Sequence, residues 1–156
     1  MITAWRICKA RHSATAFDGY GAKLNGGRWN SPGMAVVYTS AVASQAFLEM
    51  LVHADATIAS LSYELIPVEF EERLVKMLDP AGLPSNWRED QTASRRIGDA
   101  WVQASQSVVM SVPSALLQID QNFIVNPAHP DMNQLIIGKP QPLIIDDRIK
   151  TLFAGK

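Results

Sequence analysis

The chain has 156 residues, a formal net charge of −1, and 47% hydrophobic against 19% charged residues. That length fits one domain with its own hydrophobic core, and that composition excludes a disordered chain. Near-neutral charge also argues against a dedicated nucleic-acid-binding domain, which is usually clearly basic.

The chain opens on MITAWRICKA, which lacks the apolar core of a signal peptide. Its stretch ITAWRIC, apolar around Arg6, reads as a strand. Cys8 is the one cysteine, so an internal disulfide is excluded. No apolar run approaches the roughly 20 residues of a membrane span, and a cytoplasmic location is expected. Residues 1–28 carry Arg6, Lys9, Arg11, Lys23 and Arg28 against Asp18 alone, so this segment can supply an anion site.

Next comes the glycine-rich connection AFDGYGAKLNGGRWNSPG, in which Asn25-Gly26-Gly27 is a strong turn signal. MAVVYTS follows as a β-branched run suited to a buried strand. SAVASQAFLEMLVHADA reads as a helix capped by Ser40, with Phe47, Met50, Leu51 and Ala54 on an apolar stripe. Gln45, Glu49 and His53 share the neighbouring stripe. SLSYELIPVEF alternates as a strand, and LDPAGLPSNWRED is a loop. ASRRIGDAWVQAS is a helix. SVVMSVPSALLQI starts as a strand that Pro113 places at a strand end or sheet edge. NFIVNPAHPDM gives a further strand and PLIIDDRI the last one, with a flexible end from residue 150. The expected architecture is a single α+β domain, a central mixed or antiparallel sheet with flanking helices.

Three positions invite chemistry. Arg28 sits among glycines in GGRWN, where a guanidinium fork and bare backbone N–H groups suit a phosphate-bearing ligand, with Trp29 available to stack or to pack. The competing reading is a surface arginine in a turn beside a core tryptophan. Glu49 lies in the apolar FLEMLVH. It is either on an exposed face or placed to stabilise a developing positive charge, as in glycosidic bond cleavage. Glu49 with His53 is at most half a metal site. Ser114 follows Val112-Pro113 without any nucleophile elbow. Arg28 and Glu49 pairing with each other in a purely structural protein is a further alternative, as is an RNA-acting protein that uses the basic N-terminal segment.

Taken in order, GGRWNSPGMAVVYTS, FLEMLVH, VPSA and NFIVNPAHPD resemble the RES domain family over about residues 5 to 131. The arginine, glutamate and serine of that family's name would here be Arg28, Glu49 and Ser114. Arg6, Tyr38 and GDAWVQAS are also similar to the family. The resemblance implies a fold like that of ADP-ribosyltransferases and a toxin of a bacterial toxin–antitoxin pair. It implies an Xre-type antitoxin partner, self-association as a homodimer, and no metal cofactor. NAD+ is the implied substrate, cleaved at the nicotinamide–ribose bond, with water, inorganic phosphate or a protein as acceptor. On this reading Arg28, Glu49 and Ser114 form the catalytic set, with Ser114 bonding the ribose or the nicotinamide amide. Arg6, Gly27, Trp29, Tyr38, His53 and Asn122 line the NAD+ side of the pocket.

Overall fold

The computed structural model describes residues 1–155. Strand β1 (Ile2–Lys9) leads through a 3-10 turn to the short helix α1 (Tyr20–Asn25). Then come β2 (Val37–Ser40), α2 (Ala43–Leu51), β3 (Tyr63–Phe70), β4 (Val75–Met77) and α3 (Thr92–Gln103). They are followed by β5 (Val109–Pro113), β6 (Gln121–Val125), β7 (Ile136–Ile137), β8 (Gln141–Leu143) and α4 (Asp147–Leu152).

The strands form one mixed sheet in the order β4-β5-β6-β2-β1-β3-β7, with β8 also on β3. Among the described residues only the β4–β5 pairing is parallel. The eight-residue β1 pairs with β3 along its whole length. Against β2 it pairs only where Trp5 meets Ser40. The sheet therefore parts between β1 and β2, and that parting places the functional site.

Side chains alternate across the strands and feed two cores. In β6, Phe123 and Val125 join one apolar cluster with Val37, Val68 and Phe70. Ile124 points the other way, to a cluster of Trp29, Trp87, Trp101 and Met110. Amphipathic α3 closes that second cluster with Trp101, which is 2% exposed.

Several sequence-based expectations need correction. The run MAVVYTS yields a strand only over β2, because the Asn30 side chain holds the carbonyl of Met34 in the preceding loop. Ser40 does not cap α2. The N-cap is Val42 with no side-chain bond, and the Ser40 hydroxyl goes to Asn122 instead. In α2 the deepest positions are Gln45 and Ala46, while Phe47, Met50 and Leu51 are half-buried. In PLIIDDRI the strand stops at Leu143. Asp146 accepts from the Arg148 amide and starts α4, so residues 150–152 are helical. Pro113 does end its strand, yet β5 lies inside the sheet between β4 and β6.

Candidate active site

A cavity of about 720 Å³ opens where β1 leaves β2, within the size range of small-molecule sites. Arg6 from β1, Tyr38 from β2, Glu49 from α2, Arg95 from α3 and Asn122 from β6 all reach its wall, together with Arg28 from the glycine-rich loop.

That loop owes its shape to α3 and to two side chains at its base. Gly98 of α3 packs so tightly that a Cβ there would lie 1.7 Å from the Trp29 carbonyl oxygen. Around this contact the Ser94 hydroxyl donates to the Arg28 carbonyl at 2.6 Å, Arg95 Nε donates to the Gly27 carbonyl at 2.8 Å, and the Ser31 amide donates to Asp99 at 2.9 Å. From the other side the Tyr38 hydroxyl donates to Asn30 Oδ1 at 2.7 Å and accepts from the Trp29 amide at 2.9 Å. Burial pushes the Tyr38 pKa up, and the bond from the Trp29 amide works against that shift. With both roles of its hydroxyl taken, Tyr38 offers the cavity its ring.

Two parts of the loop expectation change as a result. The amides of Gly26, Gly27, Trp29, Ser31 and Gly33 are all bonded within the protein, so the loop presents no bare anion nest. Gly27 is required instead because a Cβ would meet the Tyr38 hydroxyl at 2.5 Å. Trp29 is 2% exposed and packs on Trp87 with ring centroids 5.7 Å apart, so it is a core residue and no stacking surface for a ligand.

The arginines are the strongest electrostatic feature. Arg6 Nη1 donates to the Tyr38 carbonyl at 3.1 Å across the parted strands. Its Nε is buried without a hydrogen-bond partner. Burial pulls the Arg6 pKa down, while Cys8 and Asp18 pull it up. Arg28 Nη1 donates to the carbonyls of Trp87 at 3.2 Å and Arg88 at 3.1 Å, and the guanidinium lies 5.6 Å from the Trp87 ring centroid. Partial burial lowers the Arg28 pKa, and the charge of Glu49 opposes that. Among the described residues none of Arg6, Arg28 and Arg95 forms an ion pair. Arg28 and Glu49 are therefore not the structural pair that the sequence left open. Guanidiniums without a carboxylate partner, with Arg6 strongly buried and Arg28 and Arg95 partly so, are suited to an anionic ligand.

Among the described residues Glu49 is the one carboxylate on the wall. Three donors converge on its Oε1: Asn122 Nδ2 at 2.6 Å, the Ser114 hydroxyl at 2.9 Å and Gln45 Nε2 at 3.2 Å. Among the described residues Oε2 receives no hydrogen bond, which leaves it for a ligand. Ser114 is wholly buried, and its hydroxyl also accepts from Gln45 at 2.7 Å and from the Leu116 and Leu117 amides. The expectation that Ser114 bonds the ligand is thereby corrected: it holds Glu49. Asn122 lines the cavity but likewise acts on Glu49. His53 lies beyond the end of α2, exposed at the rim. Arg95, Gln45 and Ser40 were not selected as site residues from the sequence. Arg95 sits in a helix that reads as an ordinary amphipathic one, and only the Gln45–Glu49 spacing hinted at a link.

The fold and the cavity define an α+β domain with an arginine-lined pocket around one firmly held carboxylate. The chain belongs to the RES domain family, whose model matches residues 3–146. It is 35% identical over 150 residues to Toxin Res of Yersinia enterocolitica, covering 94% of this chain and 98% of that protein. It is 31% identical over 152 residues to the Prs ADP-ribosylating toxin of Sphingobium sp. strain YBL2, covering 93% and 94%. Among solved structures, a chain in the M. tuberculosis MbcT–MbcA toxin–antitoxin complex superposes with a TM-score of 0.74 at 21% identity, covering 99% of this chain and 89% of that one. At that identity the likeness is one of fold.

Proposed function

We propose that this protein is the toxin of a bacterial toxin–antitoxin pair and that it cleaves the nicotinamide–ribose bond of NAD+. The observation that carries the reading is Glu49, among the described residues the single carboxylate of the pocket, held by one oxygen beside three arginines that form no ion pair among those residues. The diphosphate of NAD+ supplies the anion that Arg6, Arg28 and Arg95 need. The Tyr38 ring packs beside the nicotinamide.

In the reaction the C1′–N bond breaks, its electron pair leaves with neutral nicotinamide, and an oxocarbenium forms on the ribose. Glu49 Oε2 stabilises that cation. With water as acceptor, oxygen bonds to C1′ and Glu49 takes the proton, giving ADP-ribose. With inorganic phosphate as acceptor, a phosphate oxygen bonds to C1′ and gives the ribose 1-phosphate ester. The names of the toxin relatives support the toxin role. The toxin–antitoxin neighbour supports an antitoxin partner, which we take to be of Xre type, with the toxin as a homodimer in the complex.

A second reading is supported by the Sphingobium relative, named as an ADP-ribosylating toxin. Here a nucleophile on a target protein replaces water. Incubation with NAD+ labelled in the adenylate phosphate, alone and with cell lysate, separates the readings. Label in a small product without lysate supports cleavage. Label on one protein band supports transfer. Label that stays in NAD+ in both mixtures contradicts the proposal.

A further inference from the structure

Glu49 is oriented by more than its direct contacts. Its neighbours Asn122 and Ser114 are themselves oriented by two buried residues of different elements, Ser40 at the end of β2 and Gln45 in the first turns of α2. We propose that Ser40 and Gln45 are positioning residues of the active site, which fix the Glu49 carboxylate through Asn122 and Ser114 so that Oε2 alone faces the substrate. The role assigned to Oε2 rests on the NAD+ reading above.

The direction of each bond follows from what each group can donate. An ionised carboxylate only accepts, so Asn122 must present its NH2 to Glu49 at 2.6 Å, which leaves Asn122 Oδ1 to accept from the Ser40 hydroxyl at 2.7 Å. On the other side, backbone amides can only donate. Leu116, Leu117 and Gln45 Nε2 all donate to the Ser114 oxygen, so its proton has one direction left, toward Glu49 Oε1. Gln45 Nε2 also reaches Oε1 itself. Every donor thus lands on the same oxygen, with Asn122 held from behind by Ser40 and Ser114 by Gln45 and the Leu116 and Leu117 amides.

The burial of these residues needs a reason. Ser40 and Gln45 are each 3% exposed, and Ser114 is wholly buried. Apolar residues at those places would pack without the desolvation that polar groups carry. Gln45 is also the deepest-set polar residue of a helix that is otherwise largely apolar. A network in which every member has its partner gives a fixed geometry, and a fixed carboxylate matters where charge develops, at C1′, more than where the diphosphate binds.

The kinetic consequence is a fall in kcat with KM for NAD+ almost unchanged. In Ser40→Ala and in Gln45→Met we expect kcat for nicotinamide release to fall about ten- to a hundredfold, the scale of a small misplacement of a reacting group, with KM within about twofold. Ser40→Thr keeps the hydroxyl and recovers most of the rate. Added to Glu49→Gln, Ser40→Ala lowers the residual rate no further, because the carboxylate it positions is already gone. An unchanged kcat in both single variants, or an equal loss in the Glu49→Gln background, overturns the proposal. If Ser40→Ala fails to fold, Gln45→Met on the opposite side gives the same readout. If the unaltered protein releases no nicotinamide, the NAD+ reading fails by itself, and crystal structures of the unaltered and Gln45→Met proteins then decide the positioning. A Glu49 carboxylate turned away from its place in the unaltered protein upholds it, and an unmoved carboxylate overturns it.

Discussion

At the scale of single residues, Glu49 joins stability to chemistry. Removing its side chain in Glu49→Ala leaves Asn122, Ser114 and Gln45 without their shared acceptor, at a cost of about 1–3 kcal/mol. Glu49→Gln keeps an oxygen for those donors and loses the anion. Thermal unfolding should rank Glu49→Ala well below Glu49→Gln, while nicotinamide release falls at least a hundredfold in both. Tyr38 makes a second residue-scale prediction. Its pKa lies above the ordinary 10.0 because burial disfavours the phenolate. Below pH 10 both folded and unfolded protein hold the proton, and the contribution is fully present. Above about pH 10 the unfolded chain ionises first, so stability falls as pH rises toward the higher folded value. Denaturant titration at pH 9 and pH 11 should show that fall in the unaltered protein and a smaller one in Tyr38→Phe. The Phe variant starts lower, by about 1–3 kcal/mol, for loss of its bonds to Asn30 and Trp29. Arg28 and Glu49 were legible in the sequence because a charge among glycines, and a charge in an apolar helix, both stand out locally. Ser40 and Gln45 were not, since their significance lies in partners more than 60 positions away.

At the scale of elements, the glycine-rich loop and α3 behave as one unit. Sequence patterning located α3 and the loop separately but not their contact, because Gly98 gives no local reason for being glycine. Gly98→Ala should push α3 away from Trp29, destabilise by about 1–3 kcal/mol, and displace Arg28 and Arg95 together. Gly82→Ala meets open space and serves as the control. Unfolding curves of both variants check this, with weaker NAD+ binding expected in Gly98→Ala alone. Long elements such as β1, β3 and α3 were legible from their periodicity. The two-residue β7 and three-residue β4 were not, since so few residues show no pattern and exist through pairing to β3 or β5, and of the last expected strand only Pro142 and Leu143 fall in β8. Helix α4 was hidden because the apolar Leu143–Ile145 continues the strand pattern up to Asp146, where the cap of the helix stands.

At the scale of the whole molecule, the decisive feature is the parting of β1 from β2. No window of sequence reports it, because it follows from β1 keeping its full register with β3 while touching β2 at one pair. It creates the cavity and brings arginines from β1, a loop and α3 to one place. On the proposed function this place cleaves NAD+ through Glu49. The direct measurement is nicotinamide release from NAD+ by purified protein, with and without inorganic phosphate, beside Glu49→Gln and Arg28→Ala. Release by the unaltered protein is expected, with at least a hundredfold loss in Glu49→Gln at equal fold stability and a raised KM in Arg28→Ala. Release that is undiminished in Glu49→Gln would contradict that function.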